Sequence, residues 1–295
     1  MSRVAVLGPG SWGTTLAIHL ATLGHEVRLW GNDPAQLAEL AATRENRRFL
    51  AGITLPDGVK VQPELKEALE GAEFTIFVVP SQAIRSVAAQ VKAIGGGGIP
   101  VCASKGLELG SLERMSEVLA ESLGDPAPVV FTGPSHAEEV AVGIPTSIVA
   151  ACVDEGRARS VQTLFASPRL RVYTNTDVIG CEVGGALKNV IAIAAGICDG
   201  LGYGDNTKGA LLTRGLAEIG RLGVAMGGRQ ETFFGLTGMG DLIATAMSRH
   251  SRNRHVGERL GRGETLQDIL GGNLVEVSDA LIQEERTRQL AAGEE

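Results

Sequence analysis

Short apolar runs recur along the first half of the chain, each bounded by glycine, proline or polar residues. They predict strands at Val4–Leu7, Val27–Trp30, Thr75–Val79, Pro100–Ala103, Val129–Thr132, Ser147–Ala151 and Leu170–Tyr173. Between many of these runs, apolar residues recur at helical spacing and predict helices over Ser11–Leu23, Pro34–Thr43, Ser81–Ile94 and Ser111–Leu123. Apolar strands that alternate with helices are typical of a mostly parallel sheet covered on both faces.

The pattern changes near Asp177, after which long helical patterns replace the strands. They lie at Val178–Ile197, Asn206–Met226, a short segment around Leu242–Met247, and Asn253–Leu260. We therefore expect an α/β protein with two domains: a Rossmann-type, mostly parallel sheet domain over residues 1–180 that binds a dinucleotide, and an all-helical substrate-binding domain over residues 181–295. The cleft between them is the natural place for an active site.

Composition and charge narrow the class of protein. The chain has 295 residues, of which 44% are hydrophobic and 21% charged, which fits a soluble globular protein. Its net charge of −7 argues against a nucleic-acid surface. The apolar stretch Val190–Cys198 is too short to span a bilayer, so we expect no membrane insertion. The four cysteines lack paired spacing, and no signal peptide pattern precedes Val4, so we expect a cytoplasmic enzyme without a metal site.

A glycine-rich turn follows the first predicted strand. Gly8, Gly10 and Gly13 occupy the three glycine positions of a Rossmann fingerprint, with the helix pattern beginning at Ser11. In such a turn the first glycine permits the bend, the second lets a pyrophosphate approach, and the third lets helix and strand pack closely. The strand before and the helix after the turn strengthen this prediction of a dinucleotide site.

Asn32 follows the second predicted strand, at the position where NAD-binding domains usually carry an acidic residue. Because asparagine is neutral, the choice between NAD and NADP stays open. Asp33 is better placed to cap the helix that starts at Pro34. Pro80, after the third apolar run, either starts a helix or lines the cofactor.

Polar residues follow two further strands, and a lysine interrupts an apolar helix. Lys105 comes after one strand, and Gly133 and Ser135 come after the next. Lys188 lies in the helix pattern after Asp177, where an unpaired charge is rare. Lys105 and Lys188 either extend to solvent or point into a site, where burial and a neighbouring positive charge can bring a lysine pKa towards neutrality.

Two later segments carry further candidates. Asp241 follows two glycines and either caps a helix or pairs with a catalytic lysine. Ser251 can cap the next helix, whose N-terminus together with Arg252 and Asn253 would bind a phosphate group. The alternative for this basic segment is a solvated helix face.

Taken together, these motifs resemble the bacterial NAD(P)-dependent sn-glycerol-3-phosphate dehydrogenases over roughly residues 1–276. The matching segments are Gly-Pro-Gly-Ser-Trp-Gly-Thr-Thr-Leu-Ala at 8–17, Leu-Trp-Gly-Asn at 29–32, Asn46 with Phe49-Leu50, Ser-Lys-Gly-Leu-Glu at 104–108, Gly-Pro-Ser-His-Ala at 133–137, Ala-Leu-Lys-Asn-Val at 186–190, Gly-Met-Gly-Asp-Leu at 238–242 and Ser-Arg-Asn-Arg at 251–254. Several motifs in one order are far more specific than a glycine fingerprint alone.

The resemblance implies hydride transfer between NAD(P)H and dihydroxyacetone phosphate, with Lys188 as the proton-transfer residue and Lys105 and Asp241 supporting it. The implied cofactor contacts are Ser11, Trp12, Asn32, Lys105, Ala137, Arg252 and, near the end of the match, Leu274 and Glu276, beside the fingerprint glycines and Pro80. The implied substrate contacts are Lys105, Gly133, Ser135, Lys188, Asp241, Ser251, Arg252 and Asn253. The sequence departs from the family pattern after Glu276, so we expect the helical domain to be incomplete or atypical there.

The resemblance also implies that the enzyme supplies glycerol 3-phosphate for phospholipid synthesis, and it is compatible with a homodimer. Two other functions stay open. One is a different two-domain dehydrogenase, acting on a hydroxy acid or a 6-phosphogluconate-type substrate. The other is a dinucleotide-binding protein without catalytic activity.

Overall fold

The computed structural model describes residues 1–271, which contain an eight-stranded sheet. Its strands are β1 (Arg3–Leu7), β2 (Glu26–Trp30), β3 (Val59–Val61), β4 (Phe74–Phe77), β5 (Ile99–Cys102), β6 (Val129–Thr132), β7 (Thr146–Ala151) and β8 (Leu170–Asn175). They are arranged in the order β3-β2-β1-β4-β5-β6-β7-β8. All neighbours are parallel except β6 and β7. The predicted α/β class and mostly parallel sheet are confirmed.

Helices cover both faces of this sheet, because successive residues of a strand point to opposite sides. In β1, Val4 and Val6 pack in the core that contains Leu16 of the first helix, whereas Ala5 and Leu7 pack in the core that contains Ile84. The helices of this part are α1 (Ser11–Thr22), α2 (Pro34–Thr43), α3 (Leu65–Leu69), α4 (Ile84–Ile94), α5 (Met115–Leu123), α6 (Ala137–Ala141) and α7 (Glu155–Phe165).

Three details differ from the predicted elements. The strand β3 was not predicted, because three residues are too few to show a period. The helix predicted from Ser81 begins with a 3-10 turn, Ser81–Ala83, before α4. The helix predicted from Ser111 begins only at Met115, because Leu112 has a left-handed φ of 60° and Leu107 forms an antiparallel bridge with Arg114.

Beyond Asn175 the described residues form helices and turns, as predicted. The helices are α8 (Val178–Gly200), α9 (Asp205–Ala225), α10 (Gln230–Phe233), α11 (Asp241–Met247), α12 (Arg252–Gly261) and α13 (Leu266–Gly271), with a π-helical turn over Leu236–Gly240 before α11. Asp177 caps α8 and accepts a hydrogen bond from the Gly180 backbone N–H at 2.9 Å.

Helices α8 and α12 pack through glycines on both sides, which we call the α8–α12 glycine contact. A Cβ atom at Gly196 of α8 would overlap the carbonyl oxygen of Arg254, and one at Gly257 of α12 would overlap that of Ile193. Gly200 and Gly261 make the same kind of backbone approach one turn further along. Because no side chain separates the two helices at these glycines, the N-terminus of α12 lies close to the middle of α8.

Helix α8 is also long and apolar enough, by length and composition, to cross a membrane. It extends well beyond the apolar stretch Val190–Cys198, which by itself is too short to span a bilayer. About 50% of its most apolar window is buried inside the protein, as in a core helix.

Candidate active site

The carboxyl ends of β1, β2, β4, β5 and β6 meet at one edge of the sheet, because these strands are parallel. The strand order reverses between β1 and β4, where open α/β sheets bind their ligands. The fingerprint glycines follow β1 and Asn32 follows β2, whereas Lys105 and Gly133 follow β5 and β6. The sequence-predicted residues therefore share one edge, and β4 separates the two groups.

Each glycine of the β1–α1 turn has a separate steric role. Gly8 has a φ of 120° and lies against the Val78 carbonyl, where a Cβ atom would clash. A Cβ atom at Gly13 would overlap the Gly8 carbonyl oxygen, so this glycine allows α1 to approach the strand. At Gly10 a Cβ atom would meet nothing within 4 Å, so the space beside this glycine is open.

The N-terminus of α1 fits the pyrophosphate of a dinucleotide. Gly10 is its N-cap residue, no side chain caps the helix, and its first turn contains no acidic residue. Backbone N–H groups at such a terminus, from Ser11 onward, favour an anion. The turn is held in place by Asn46, whose Nδ2 donates to the Pro9 carbonyl at 2.9 Å and to Thr14 Oγ1 at 2.7 Å.

Asn32 lies exposed in the turn between β2 and α2, beside this site. Asp33 caps α2, as predicted, and accepts from the N–H groups of Ala35 and Gln36 at 3.0 and 3.2 Å. Among nearby arginines, Arg28 donates to the Glu70 carbonyl at 3.1 Å and Arg44 to the Pro56 carbonyl at 2.6 Å. Both guanidinium groups are thus engaged with backbone at the β3 side of the sheet.

Two lysines share one buried carboxylate at the other end of the edge. Lys188, from the middle of α8, donates to Asp241 Oδ1 at 2.6 Å, and Lys105 donates to Asp241 Oδ2 at 2.7 Å. Lys105 also donates to the Gly133 carbonyl oxygen at 3.0 Å. Lys188 is 7% exposed and Asp241 2%, so the ion pair predicted between them is present and nearly dry.

The environment changes the acidity of both groups. Burial, together with the positive charge of Lys105, lowers the pKa of Lys188 to about 8 despite the opposing effect of Asp241. Burial alone would raise the pKa of Asp241, but the charges and hydrogen bonds of Lys105 and Lys188 outweigh it and keep this pKa below its usual range. Lys188 can therefore exchange a proton near neutral pH, while Asp241 stays ionised.

The remaining predicted residues of this edge lie on loops and helix starts. Ser135 donates to the Gly133 carbonyl at 3.1 Å, and Ala137 is the first residue of α6, whose carbonyl accepts from Thr15 of α1 at 3.2 Å. Pro80 is exposed and caps the 3-10 turn after β4. Of the two roles considered for this residue, starting a helix is the one that the structure has. Leu274 and Glu276 lie outside the described residues.

The start of α12 lies against α8 one residue beyond Lys188. Ser251 caps α12, as predicted, and accepts from the Arg254 N–H at 3.2 Å. Asn253 Nδ2 donates to Asn189 Oδ1 at 2.9 Å, while the buried Asn253 Oδ1 has no hydrogen-bond partner among residues 1–271. Arg252 is exposed in the first turn of this helix. A helix N-terminus with an arginine and two amides can hold a phosphate group near Lys188.

Sequence reasoning did not predict two residues of this cluster. Thr245 Oγ1 accepts from Lys188 at 2.6 Å, and Asn189 supports Asn253. Thr245 lies four residues after Asp241, a spacing that places both side chains on one helix face. That spacing was the signal in the sequence that could have identified it.

Comparisons with known proteins agree over nearly the whole chain. Residues 3–158 match the family model described as "NAD-dependent glycerol-3-phosphate dehydrogenase N-terminus", and residues 177–292 match its "C-terminus" counterpart. The chain is 50% identical over 271 residues to glycerol-3-phosphate dehydrogenase [NAD(P)+] of Prosthecochloris aestuarii, covering 90% of this chain and 82% of that protein. It is 51% identical over 274 residues to the protein of the same name from Geobacillus kaustophilus, covering 92% and 80%.

Solved structures agree with this similarity. The crystal structure of glycerol-3-phosphate dehydrogenase from Coxiella burnetii superposes with a TM-score of 0.90 at 39% identity, covering 99% of this chain and 90% of that one. A glycerol-3-phosphate dehydrogenase from Saccharomyces cerevisiae superposes with a TM-score of 0.78 at 27% identity, covering 93% and 86%.

Proposed function

The chain belongs to the NAD-dependent glycerol-3-phosphate dehydrogenase family, and from this premise we propose that it interconverts dihydroxyacetone phosphate and sn-glycerol 3-phosphate with NAD(P)(H). The observation that supports this most strongly is the buried cluster of Lys188, Asp241 and Lys105. Carbonyl reduction needs a proton for the oxygen as it becomes an alkoxide, and this cluster offers one from a lysine whose pKa is about 8.

When bound, the nicotinamide cofactor supplies the hydride that reduces the C2 carbonyl carbon. In our proposal the ammonium group of Lys188 donates its proton to the C2 oxygen, which leaves a neutral amine and a secondary alcohol. In the oxidation direction the neutral amine takes the proton back. Thr245 accepts a hydrogen bond from Lys188 and so limits the directions in which the amino group can point.

Asp241 and Lys105 act on the proton donor from two sides. Asp241 holds both amino groups and compensates their charge, and it is itself buried together with Lys188. The ammonium group of Lys105 favours the developing negative charge on the substrate oxygen. Gly133 and Ser135 line the same end of β6 and are our further candidates for substrate contact.

The start of α12 is the proposed phosphate site. Arg252 offers a bidentate guanidinium group, Ser251 and Asn253 offer polar side chains, and the helix N-terminus offers backbone N–H groups. In Asn253 the Nδ2 group donates one hydrogen to Asn189 Oδ1 at 2.9 Å, which leaves its second hydrogen for a phosphate oxygen.

The cofactor would lie on the β1–α1 turn, with Gly8, Gly10, Ser11, Trp12 and Gly13 at the pyrophosphate and Asn32 at the ribose. Pro80, Lys105, Ala137 and Arg252 are the proposed contacts further along the edge. Most of the proposed cofactor contacts lie before residue 180, and the proposed phosphate site lies after it. This supports a dinucleotide-binding domain over residues 1–180 and a substrate-binding domain from residue 181. We further propose a cytoplasmic enzyme without membrane insertion, forming a homodimer and supplying glycerol 3-phosphate for phospholipid synthesis.

An absorbance assay at the nicotinamide band tests this function. Purified protein is mixed with dihydroxyacetone phosphate and either NADH or NADPH, and the loss of reduced cofactor is followed beside a Lys188→Ala control. We expect turnover that depends on the phosphorylated ketone and on Lys188. Preference for a hydroxy acid or for 6-phosphogluconate would favour another dehydrogenase, and cofactor binding without any turnover would favour a non-catalytic protein.

A further inference from the structure

A buried carboxylate joins α8 to the start of α5, away from the lysine cluster. Glu182 is 8% exposed, and its Oε1 accepts from the Ser116 backbone N–H at 2.8 Å. Its Oε2 accepts from Arg114 Nη1 at 2.6 Å and from Ser116 Oγ at 2.5 Å. Burial raises the pKa of Glu182 even with these donors present. Glu182 and Ser116 are buried and Arg114 is mostly so, and none of the three belongs to the active site described above.

Arg114 ends the loop that carries Lys105. We call residues 103–114 the Lys105 loop. Its two arms are joined where Leu107 bridges Arg114 and where the Glu108 N–H donates to the Glu113 carbonyl at 2.9 Å. A shift of Arg114 therefore moves Leu107 with it, and Leu107 is only two residues from Lys105.

The other side of the Lys105 loop is held by residues after β4. Ser104 Oγ donates to the Val79 carbonyl at 2.5 Å, and Gln82 Nε2 donates to the Leu107 carbonyl at 2.9 Å. The Leu109 N–H donates to Gln82 Oε1 at 2.9 Å. These contacts join the loop to the residues that follow β4. The hydrogen bond between Arg114 and Glu182 joins the same loop to α8.

The face of α8 that carries Glu182 also approaches Lys105, about one helical turn further along at Gly185. A Cβ atom at Gly185 would lie 3.0 Å from Thr132 Oγ1 and 3.7 Å from Lys105 Cδ. Glu182 and Gly185 are three residues apart and lie on one helix face. Three residues beyond Gly185, the same helix carries Lys188.

We propose that Glu182 is a positioning residue that, through Arg114 and Ser116, sets the Lys105 loop against α8 and so keeps Lys105 on Asp241 beside Lys188. The proposal rests on the proposed function, in which Lys188 is the proton donor. A buried ion pair is a weak source of stability, since apolar residues of similar volume often do as well. Placing one lysine against another needs directional contacts of the kind this network supplies.

A double-mutant cycle separates positioning from stability. Glu182→Gln is made in the wild-type background and in a Lys105→Met background, and kcat for dihydroxyacetone phosphate reduction is measured in each. We expect a decrease of about ten- to a hundredfold in the wild-type background, the range for displacing a catalytic group by about an ångström. With Lys105 removed, the substitution should have little further effect. The same factor in both backgrounds would overturn the proposal.

Glu117→Gln is the matched control, because Glu117 contacts the same guanidinium group, with Arg114 Nη2 at 2.6 Å, from an exposed position. We expect its kcat to stay near the wild-type value. An equal loss in this variant would mean that any disturbance of Arg114 suffices, and would refute a specific role for Glu182. If Glu182→Gln does not fold, Ser116→Ala replaces it in the cycle, because this change removes one donor and keeps the backbone N–H.

A second readout does not need turnover. The side-chain resonance of Lys188, assigned by comparison with Lys188→Arg, is titrated by NMR in each variant. Because the charge of Lys105 lowers the pKa of Lys188, withdrawal of Lys105 in Glu182→Gln should raise that pKa, whereas Glu117→Gln should leave it unchanged. An unmoved titration in Glu182→Gln contradicts the inference. A wild-type protein that does not reduce dihydroxyacetone phosphate contradicts the proposed function instead, and the titration still tests Glu182.

Discussion

Replacing Asp241 with asparagine removes the charge that two lysine side chains share while keeping the size of the side chain. Lys188 and Lys105 lie 2.6 and 2.7 Å from the two carboxylate oxygens. After the substitution, two ammonium groups face each other in a nearly dry site without a counter-charge. The pKa of Lys188, already about 8, should therefore fall further, because its charged form loses the attraction and keeps the repulsion.

The size of this fall follows from Coulomb's law. Two unit charges about 4 Å apart at an effective dielectric constant of about 20 attract by about 4 kcal/mol, which corresponds to roughly 3 pH units. The asparagine carbonyl still accepts a hydrogen bond, so we expect a change of about 2 to 3 pH units. At pH 7 this leaves roughly 1–10% of Lys188 protonated and lowers kcat/KM for ketone reduction about ten- to a hundredfold.

The direction of the pH dependence makes the prediction specific. Reduction needs protonated Lys188, so in the wild type kcat/KM should be level below pH 8 and fall above it. In Asp241→Asn the falling limb should move to acid pH, and the activity should recover as the pH is lowered. Oxidation of glycerol 3-phosphate needs the neutral amine, so the pH at which its rate rises should move to acid pH in the same way.

These changes are measured as rate against pH in both directions, by pre-steady-state or steady-state kinetics. NADH is saturating for reduction and NAD is saturating for oxidation. Thr245→Val is the matched control, because it removes a hydrogen bond to Lys188 without removing a charge. Circular dichroism and cofactor binding check that each variant is folded. A falling limb that stays near pH 8 in Asp241→Asn would show that Asp241 does not set the pKa of the proton donor, and our electrostatic account would be wrong.

Three further predictions concern other parts of the site. Lys188→Ala should lower kcat by roughly two to four powers of ten with cofactor binding retained; a near-normal kcat would exclude Lys188 as proton donor. Arg252→Ala should cost about 1.5–3 kcal/mol in kcat/KM for dihydroxyacetone phosphate and much less for dihydroxyacetone; equal losses would exclude it from the phosphate site. Asn32→Asp should shift kcat/KM towards NADH and Asn32→Arg towards NADPH, whereas an unchanged ratio in both would locate the selector elsewhere.

Much of the fold was predictable because apolar strands and amphipathic helices leave strong local patterns. The predicted strand ends at Leu7, Thr132 and Ala151 agree with the structure, and the helices after Asp177 lie close to their predicted ranges. The late start of α5 could not, because it depends on a bridge between Leu107 and Arg114 that helical spacing does not reveal. The strand β3 was not predicted because it has three residues, too few to show a period, and among the described residues it lies at the sheet edge beside β2.

For the site, sequence reasoning identified the charged residues but not all of their contacts. The pairing of Lys188 with Asp241 was one of two alternatives, and the structure has that pair. The second pair, between Lys105 and Asp241, joins residues 136 positions apart, and they meet only in the tertiary fold, in which α11 packs against α8. Glu182 and Arg114 look like ordinary surface charges in the sequence, because burial cannot be seen from composition alone.

The α8–α12 glycine contact has a consequence for the length of substrate that the site accepts. Lys188 and the start of α12 belong to two helices whose backbones touch at Gly196 and Gly257, so no side chain can give way between the helices at these contacts. The distance from the proton donor to the proposed phosphate site is therefore set by the backbone. A longer phosphorylated ketone would need that distance to grow. Engineering for such substrates would have to begin with side chains at these glycines, which push the helices apart, rather than with the charged residues that bind the ligand.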